Sequence, residues 1–234
     1  MARKSKKDLD IEKLELEIIR LQTLVYRDEL TGLLNRRGFN EEAGKMFRYV
    51  YSRHGLKNNR ESDSLPFSVI FIDIDNFKKI NDKYGHDEGD KVLRHMAKVM
   101  KMILRDSDIY ARWGGEEFVV VLPQSSKKTA VKVAEKLCNA FADSEIKLGG
   151  SIEQVTMSVG IVMHNNENTL HQMIEKADQA MYKAKKNGKN QVVTFMHGDE
   201  KVNYFLKLFH LVRILTSEDE DKLKINKKKR VPSI

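Results

Sequence analysis

Two aspartates, Asp73 and Asp75, close the apolar, β-branched run that begins at Pro66. Side chains alternate along a strand, so residues two apart point to one face. A carboxylate at the end of an apolar strand is costly unless it is paired or bound to a metal. Asp73 is therefore a candidate metal ligand, whereas Asp75 is read equally as a helix cap or a ligand. A second acidic pair, Glu116-Glu117, directly follows Gly114-Gly115. Adjacent strand residues face opposite sides, so both glutamates serve one site only if the turn is strongly twisted. One of them, with Asp73 and a backbone carbonyl, would make an all-oxygen site suited to Mg²⁺ or Mn²⁺ rather than zinc. The plain alternative is a solvated turn with incidental acids.

Between the two acidic pairs lies NFKKINDKYGHDEGD, dense in directional hydrogen-bonding groups. Lys78 is a candidate for phosphate. Asn81 with Asp90 can accept from the ring N–H and exocyclic amine of a purine. Neither GxxxxGK[ST] nor GxGxxG occurs, so phosphates would be held by metal, lysines and backbone N–H groups. The histidines show no HExxH or paired zinc spacing. Cys138 is the single cysteine, which rules out an internal disulfide and a cysteine-based zinc site and fits a reducing, cytoplasmic setting.

These groups need a scaffold, and the pattern predicts three segments. Residues 1–27 are a basic N-terminus and an amphipathic helix with Ile11, Leu14, Ile18, Leu21 and Val25 on one seam. So short a helix is marginal alone; it either pairs with a copy of itself or lies on the domain. Residues 28–195 alternate helix-like and strand-like patterns. Helices are expected from about Arg37 to Arg53, Asp87 to Leu104, Ser126 to Phe141 and Leu170 to Lys186. Strands are expected from Pro66 to Ile74, Ile109 to Trp113, Glu117 to Leu122, Val155 to Met163 and Gln191 to Phe195. Gly114-Gly115 joins the second and third strands as a hairpin, and His54 to Ser64 reads as a loop. The fold class is α/β with segregated character (α+β), containing at least one antiparallel pair. Residues 196–234 carry a helix candidate, Val202 to Leu215, and a charged, disordered end.

Charge and hydropathy exclude several classes. The net charge is +8, yet residues 1–7 and 222–234 carry ten positive charges and no acid. The rest is therefore slightly acidic, which argues against a specific nucleic-acid partner. No stretch reaches the ~20 apolar residues that span a bilayer, and MARKSKKDLD lacks the apolar region of a secretory signal.

Four stretches together resemble one family. DELTGLLNRR from Asp28, IDIDNFKKINDKYGHDEGD from Ile72, RWGGEEF from Arg112 and YKAKKNGKN from Tyr182 are similar, in order and spacing, to the signatures of bacterial GGDEF-domain diguanylate cyclases. The resemblance covers about residues 26–195. It implies a five-stranded mixed sheet surrounded by helices, related to the polymerase palm and the adenylyl cyclase core. It implies condensation of two GTP into cyclic di-GMP with release of two pyrophosphates, across a head-to-head homodimer. By position, Asp73, the carbonyl of Ile74 and Glu117 would bind divalent metal. Glu116 would bind metal or help remove the 3′-hydroxyl proton. Asn81 and Asp90 would read guanine, Asp90 favouring GTP over ATP. Lys78, Lys185 and Lys189, with main-chain amides near Asn76 and Phe77, would hold the triphosphate.

Arg105 and Asp108 form an RxxD motif where the family places its product-inhibition site. The usual third member, an arginine, aligns with Lys136, and lysine cannot repeat a bidentate contact. Two alternatives stay open: a catalytically silent module that binds GTP or cyclic di-GMP and acts through protein contacts, and a palm-like enzyme that associates with nucleic acid through the basic ends.

Overall fold

The apolar run ending at Asp73 forms the central strand of the fold. The computed structural model describes residues 6–54, 67–164 and 169–196. Strand β1 (Ser68–Ile74) is buried along its whole length, as a strand covered on both faces must be. It pairs antiparallel with β3 (Glu117–Leu122) on one side and β6 (Met157–Met163) on the other. Strand β2 (Ile109–Gly114) extends the sheet beyond β3 antiparallel, and β7 (Val192–Thr194) runs parallel to β6. The order β2-β3-β1-β6-β7 is the mixed five-stranded sheet expected.

Alternation along β1 feeds two cores. Ile70, Ile72 and Ile74 pack with Val92, Leu93, Met96 and Met100 of α4 (His86–Ile103) and with Ala130, Ala134 and Leu137 of α5 (Lys127–Ala142). Val69 and Phe71 meet Phe39, Ala43 and Phe47 of α2 (Arg36–His54) and Met173, Ala177 and Met181 of α6 (Leu170–Lys186). Each of the larger side chains, Val, Leu, Ile, Phe or Met, contributes about 1.5–3 kcal/mol when taken from water. Gly160 of β6 lets α6 lie directly on the sheet. A Cβ there would stand 1.9 Å from the Ala177 carbonyl oxygen and 2.2 Å from the Met181 nitrogen. Thr169 starts α6 with a reciprocal capping box to Gln172.

Two elements escape the sequence pattern. Helix α3 (Phe77–Tyr84) occupies the polar stretch, where only Phe77 is fully buried. Its Phe77, Ile80 and Tyr84 keep helical spacing, but lysines and acids obscure it. A small hairpin of β4 (Ile146–Leu148) and β5 (Ser151–Glu153) turns at Gly149-Gly150, with φ of 55° and 87°. Its three-residue strands are too short for any periodicity.

Helix α1 (Lys6–Tyr26) does not lie on its own domain along its apolar seam. Ile11, Leu14, Ile18, Leu21 and Val25 all stay exposed, Leu14 by 64%. Its end is tied down: Asn35 Nδ2 donates to the carbonyls of Val25 and Arg27 at 3.0 and 3.2 Å. Of the expected loop from His54 to Ser64, His54 ends α2 and the remainder lies outside the described residues, as does the helix expected from Val202 to Leu215.

Candidate active site

The hairpin turn and the end of β1 meet because Asp73 is the cross-strand partner of Glu117. Asp73 is wholly buried and Glu117 is 8% exposed. Burial pushes the Asp73 carboxyl up to about 7; Lys185 opposes that shift, and the charges of Glu116 and Glu117 add to it. Both glutamates therefore act on one carboxylate. The twist that permits this has a visible source, a register shift between Arg112 and Gly114 that leaves Trp113 as an extra residue in β2. Such a bulge increases local twist. The turn itself differs from the expected Gly-Gly closure. Gly114 pairs with Glu117, so the connecting residues are Gly115, at φ 52°, and Glu116.

Lys185, in the last turn of α6, places Nζ 2.6 Å from Asp73 Oδ1. Oδ2 has no hydrogen-bond partner among the described residues. Two buried carboxylates, one with an unsatisfied oxygen and both within a cluster of like charge, fit a hard divalent cation. Among the described residues no three His, Cys, Asp or Glu side chains form a ready metal cluster. A donor set of Asp73, Glu117 and the Ile74 carbonyl would not produce one, because its third ligand is backbone. Ile74 is locked beside the turn, its N–H donating to the Glu116 carbonyl at 3.3 Å.

Asp75 has a different task. It lies one residue past β1, and its carboxylate accepts from Thr156 Oγ1 and Ser158 Oγ, both at 2.7 Å, and from the Asn190 N–H at 3.0 Å. It neither caps α3 nor offers a free oxygen toward Asp73. The N-cap of α3 is Asn76, in the left-handed region at φ 58°, and it makes no side-chain cap bond. The Asn76 side chain instead accepts from Lys189 Nζ at 2.7 Å. Phe77 beside it is buried, while Lys78 is exposed in the first turn of α3.

Asn81 and Asp90 lie on either side of the joint between α3 and α4. Asn81 Oδ1 is buried and has no hydrogen-bond partner among the described residues. It lies where a Cβ on Gly89 would be, 1.9 Å away. Asp90, half-buried, has Arg94 at 3.9 Å. Gly89 thus leaves the space that the Asn81 amide oxygen occupies.

The RxxD residues stand apart from this cluster. Arg105 N–H donates to Asp108 Oδ2 at 2.8 Å, closing a turn on itself, and burial raises the Asp108 carboxyl. Lys136 is exposed on α5, and no hydrogen bond or ion pair among the described residues joins it to either. A cavity of about 540 Å³ lies on the Asp108 side, between α1, α2 and β2, lined by Tyr26, Arg27, Lys101 and Tyr110 among others; it is not at the Asp73 cluster. Sequence reasoning missed Thr156, Ser158, Asn190, Gly89 and Arg112. The two hydroxyls at 156 and 158 share period-2 spacing near the start of β6, a readable signal. Arg112 is visible only in three dimensions: it pairs with Asp28 at 3.1 Å and donates through Nε to the Gly115 carbonyl at 2.9 Å.

The sequence and fold are similar to those of known proteins. The profile of the diguanylate cyclase GGDEF domain matches residues 25–191. The chain is 34% identical over 175 residues to diguanylate cyclase DgcM of Escherichia coli, covering 74% of this chain and 39% of that protein's length. Among solved structures, the active GGEEF domain of a diguanylate cyclase from Vibrio cholerae is 34% identical, with a TM-score of 0.61 over 71% of this chain and 99% of the other. The coiled coil and GGDEF domain of DgcB from Caulobacter crescentus, solved with c-di-GMP, gives a TM-score of 0.71 at 25% identity, over 80% and 95%. With the profile spanning well over half of its length, and the sheet, hairpin turn and acidic pair in place, the chain belongs to the GGDEF-domain diguanylate cyclase family.

Proposed function

We propose that this chain is a diguanylate cyclase that joins two GTP molecules into cyclic di-GMP. The observation that carries the reading is the buried Asp73–Glu117 pair, a costly arrangement that a plain receptor of nucleotide does not need. Asn81 and Asp90 accept from the guanine N–H groups and select GTP over ATP. Lys78, Lys185 and Lys189, with the main-chain amides near Asn76 and Phe77, hold the triphosphate and fix its α-phosphorus for in-line attack. Asp73, Glu117 and the Ile74 carbonyl hold Mg²⁺ or Mn²⁺. When bound, such ions lower the pKa of the attacking 3′-hydroxyl and neutralise the leaving pyrophosphate. Lys185 would leave the Asp73 oxygen for a phosphate as the substrate arrives. Glu116, at the turn, binds metal or takes the hydroxyl proton. Each 3′-oxygen bonds to the other nucleotide's α-phosphorus as that phosphorus loses its bond to the pyrophosphate oxygen, so two condensations close the ring.

The two nucleotides need two chains facing one another. The exposed seam Ile11, Leu14, Ile18, Leu21 and Val25 pairs with a second copy as a coiled coil, burying what one chain leaves in water. Arg105 and Asp108 bind product, and Lys136 weakens that site relative to an arginine. This inhibitory contact would bridge domains as an alternative to the helical pairing.

The test is purified protein with GTP and Mg²⁺, chromatographed for cyclic di-GMP, beside Glu117→Gln and with ATP as competitor. Guanine-only product from wild type and none from the variant is expected. No product at any protein concentration, with cyclic di-GMP still bound, would replace the enzyme by a receptor.

A further inference from the structure

Asp75 is buried, 3% exposed, two residues from a proposed metal ligand, yet its hydrogen bonds run to another part of the chain. Its Oδ2 accepts from the backbone N–H of Asn190, and Thr156 and Ser158 of the β6 side complete its set of three donors. The segment it grips is unusual. Gly188, Lys189 and Asn190 lie consecutively at φ of 113°, 66° and 44°. Left-handed backbone is costly for lysine in particular, so two such non-glycine residues in a row persist only where surrounding contacts hold them. Two hydrogen bonds do so here. Lys189 N–H donates to the Ala184 carbonyl at 3.0 Å, and Asn190 N–H donates to Asp75. The outcome is that Lys189 Nζ reaches Asn76 Oδ1 at 2.7 Å, across the chain from its own helix. Lys185, one turn earlier, reaches Asp73.

We infer that Asp75 is a positioning residue: it clamps the left-handed 188–190 loop so that Lys189 stands over the start of α3, where the nucleotide's phosphates are to be held. Assigning Lys189 to phosphate rests on the function proposed above; the clamp itself does not. Asp75 touches no substrate in this scheme and acts only through the loop. Its neighbours Thr156 and Ser158 orient the carboxylate, each hydroxyl spending its proton on it. The loop is thereby fastened to β6 as well as to β1, which fixes the end of α6 relative to the strand that carries Asp73.

Hydrogen exchange of the full chain without nucleotide tests the clamp directly. In Asp75→Ala the amides of residues 188–191 should exchange at least tenfold faster, while those of β1 and β3 keep their protection. Unchanged protection of the loop would overturn the clamp. Uniform acceleration across the sheet would reduce Asp75 to a general stabiliser, and also overturn it. Asp75→Asn, which retains an oxygen acceptor for the Asn190 N–H while a serine hydroxyl can reverse toward its amide, should restore most of the loop protection.

Kinetics then test the consequence. KM for GTP should rise about tenfold or more in Asp75→Ala, with kcat falling less. In a Lys189→Ala background the same change should add under threefold, since coupled residues are non-additive. Equal costs in both backgrounds would sever Asp75 from Lys189. If the wild type made no product, the cyclase reading would fall, and the exchange result would still decide the clamp.

Discussion

Asp73 and Asp75 are two residues apart, equally buried and chemically identical, yet their surroundings are opposite. Asp75 has three donors and completes a fastening between distant segments. Asp73 has one cation beside one oxygen, two like charges nearby and an unsatisfied second oxygen. Nature of residue, depth and strand position therefore do not separate a structural carboxylate from one poised to bind. Donor supply does. A buried oxygen without donors is costly in the metal-free chain, and that cost is the mark of a group whose partner arrives from outside.

The contrast is broken most forcefully at the Asp73 pair. Asp73→Asn and Glu117→Gln should each lower cyclic di-GMP formation by at least ~10³-fold, because each removes charge that balances a cation at the reacting phosphates; a discontinuous product assay suffices. A drop of tenfold or less would mean that these carboxylates are incidental. Next comes the purine edge. Gly89→Ala should raise KM for GTP about tenfold by displacing Asn81, yet leave the fold intact, since a helix-propensity gain of roughly 1 kcal/mol offsets the crowding of its Cβ against Asn81 and Phe77. A variant both less stable and unchanged in KM would remove Gly89 from the site.

Stability should respond to the two aspartates with opposite sign. Asp73→Asn relieves a buried charge and should stabilise the metal-free chain by on the order of 1–2 kcal/mol at pH 8, about 2–8 °C in Tm. Asp75→Ala strands three donors and should destabilise it by about 1–3 kcal/mol. The Asp73 effect depends on pH in a fixed direction. Its carboxyl is raised to about 7 in the folded chain from 3.8, so folding holds a proton that the unfolded chain has lost. Wild-type stability from this group therefore falls as pH rises from about 4 to about 7, and the advantage of the asparagine should vanish toward pH 4. An advantage that is flat with pH would contradict the burial of Asp73. The smallest response belongs to Cys138. It is buried, with its thiol pushed up to about 12, so a disulfide reagent at pH 8 should leave it unmodified until the chain unfolds.

Much of this was legible before any coordinates. The central strand shows as a continuous apolar run, α4 and α6 as periodic faces, and the acidic residues as charges at places where charge is expensive. What stayed hidden was of two kinds. Helix α3 and the β4–β5 hairpin carry too few buried residues to imprint a period. Asp75, Gly89 and Arg112 act through partners 81, 8 and 84 residues away in sequence for Thr156, Asn81 and Asp28. Strand periodicity groups Asp75 with Asp73, and the Asp75 carboxylate does accept from Ser158, the cross-strand partner of Asp73; what periodicity hides is the set of donors that occupies Asp75. The α1 seam reads as packing either on a copy or on the domain, and Ile11, Leu14, Ile18, Leu21 and Val25 along it stay exposed.

Gly160 carries a consequence for anyone who maps this protein by exhaustive substitution. The glycine is not among the groups proposed to touch substrate, but α6 rests on it directly, and the last turn of that helix holds Lys185 against Asp73. Any side chain at 160 would lever the helix off the sheet and carry that lysine away. In a functional screen the position would score beside the acidic residues of the turn, as intolerant as a ligand, although its only contribution is the space that it leaves empty.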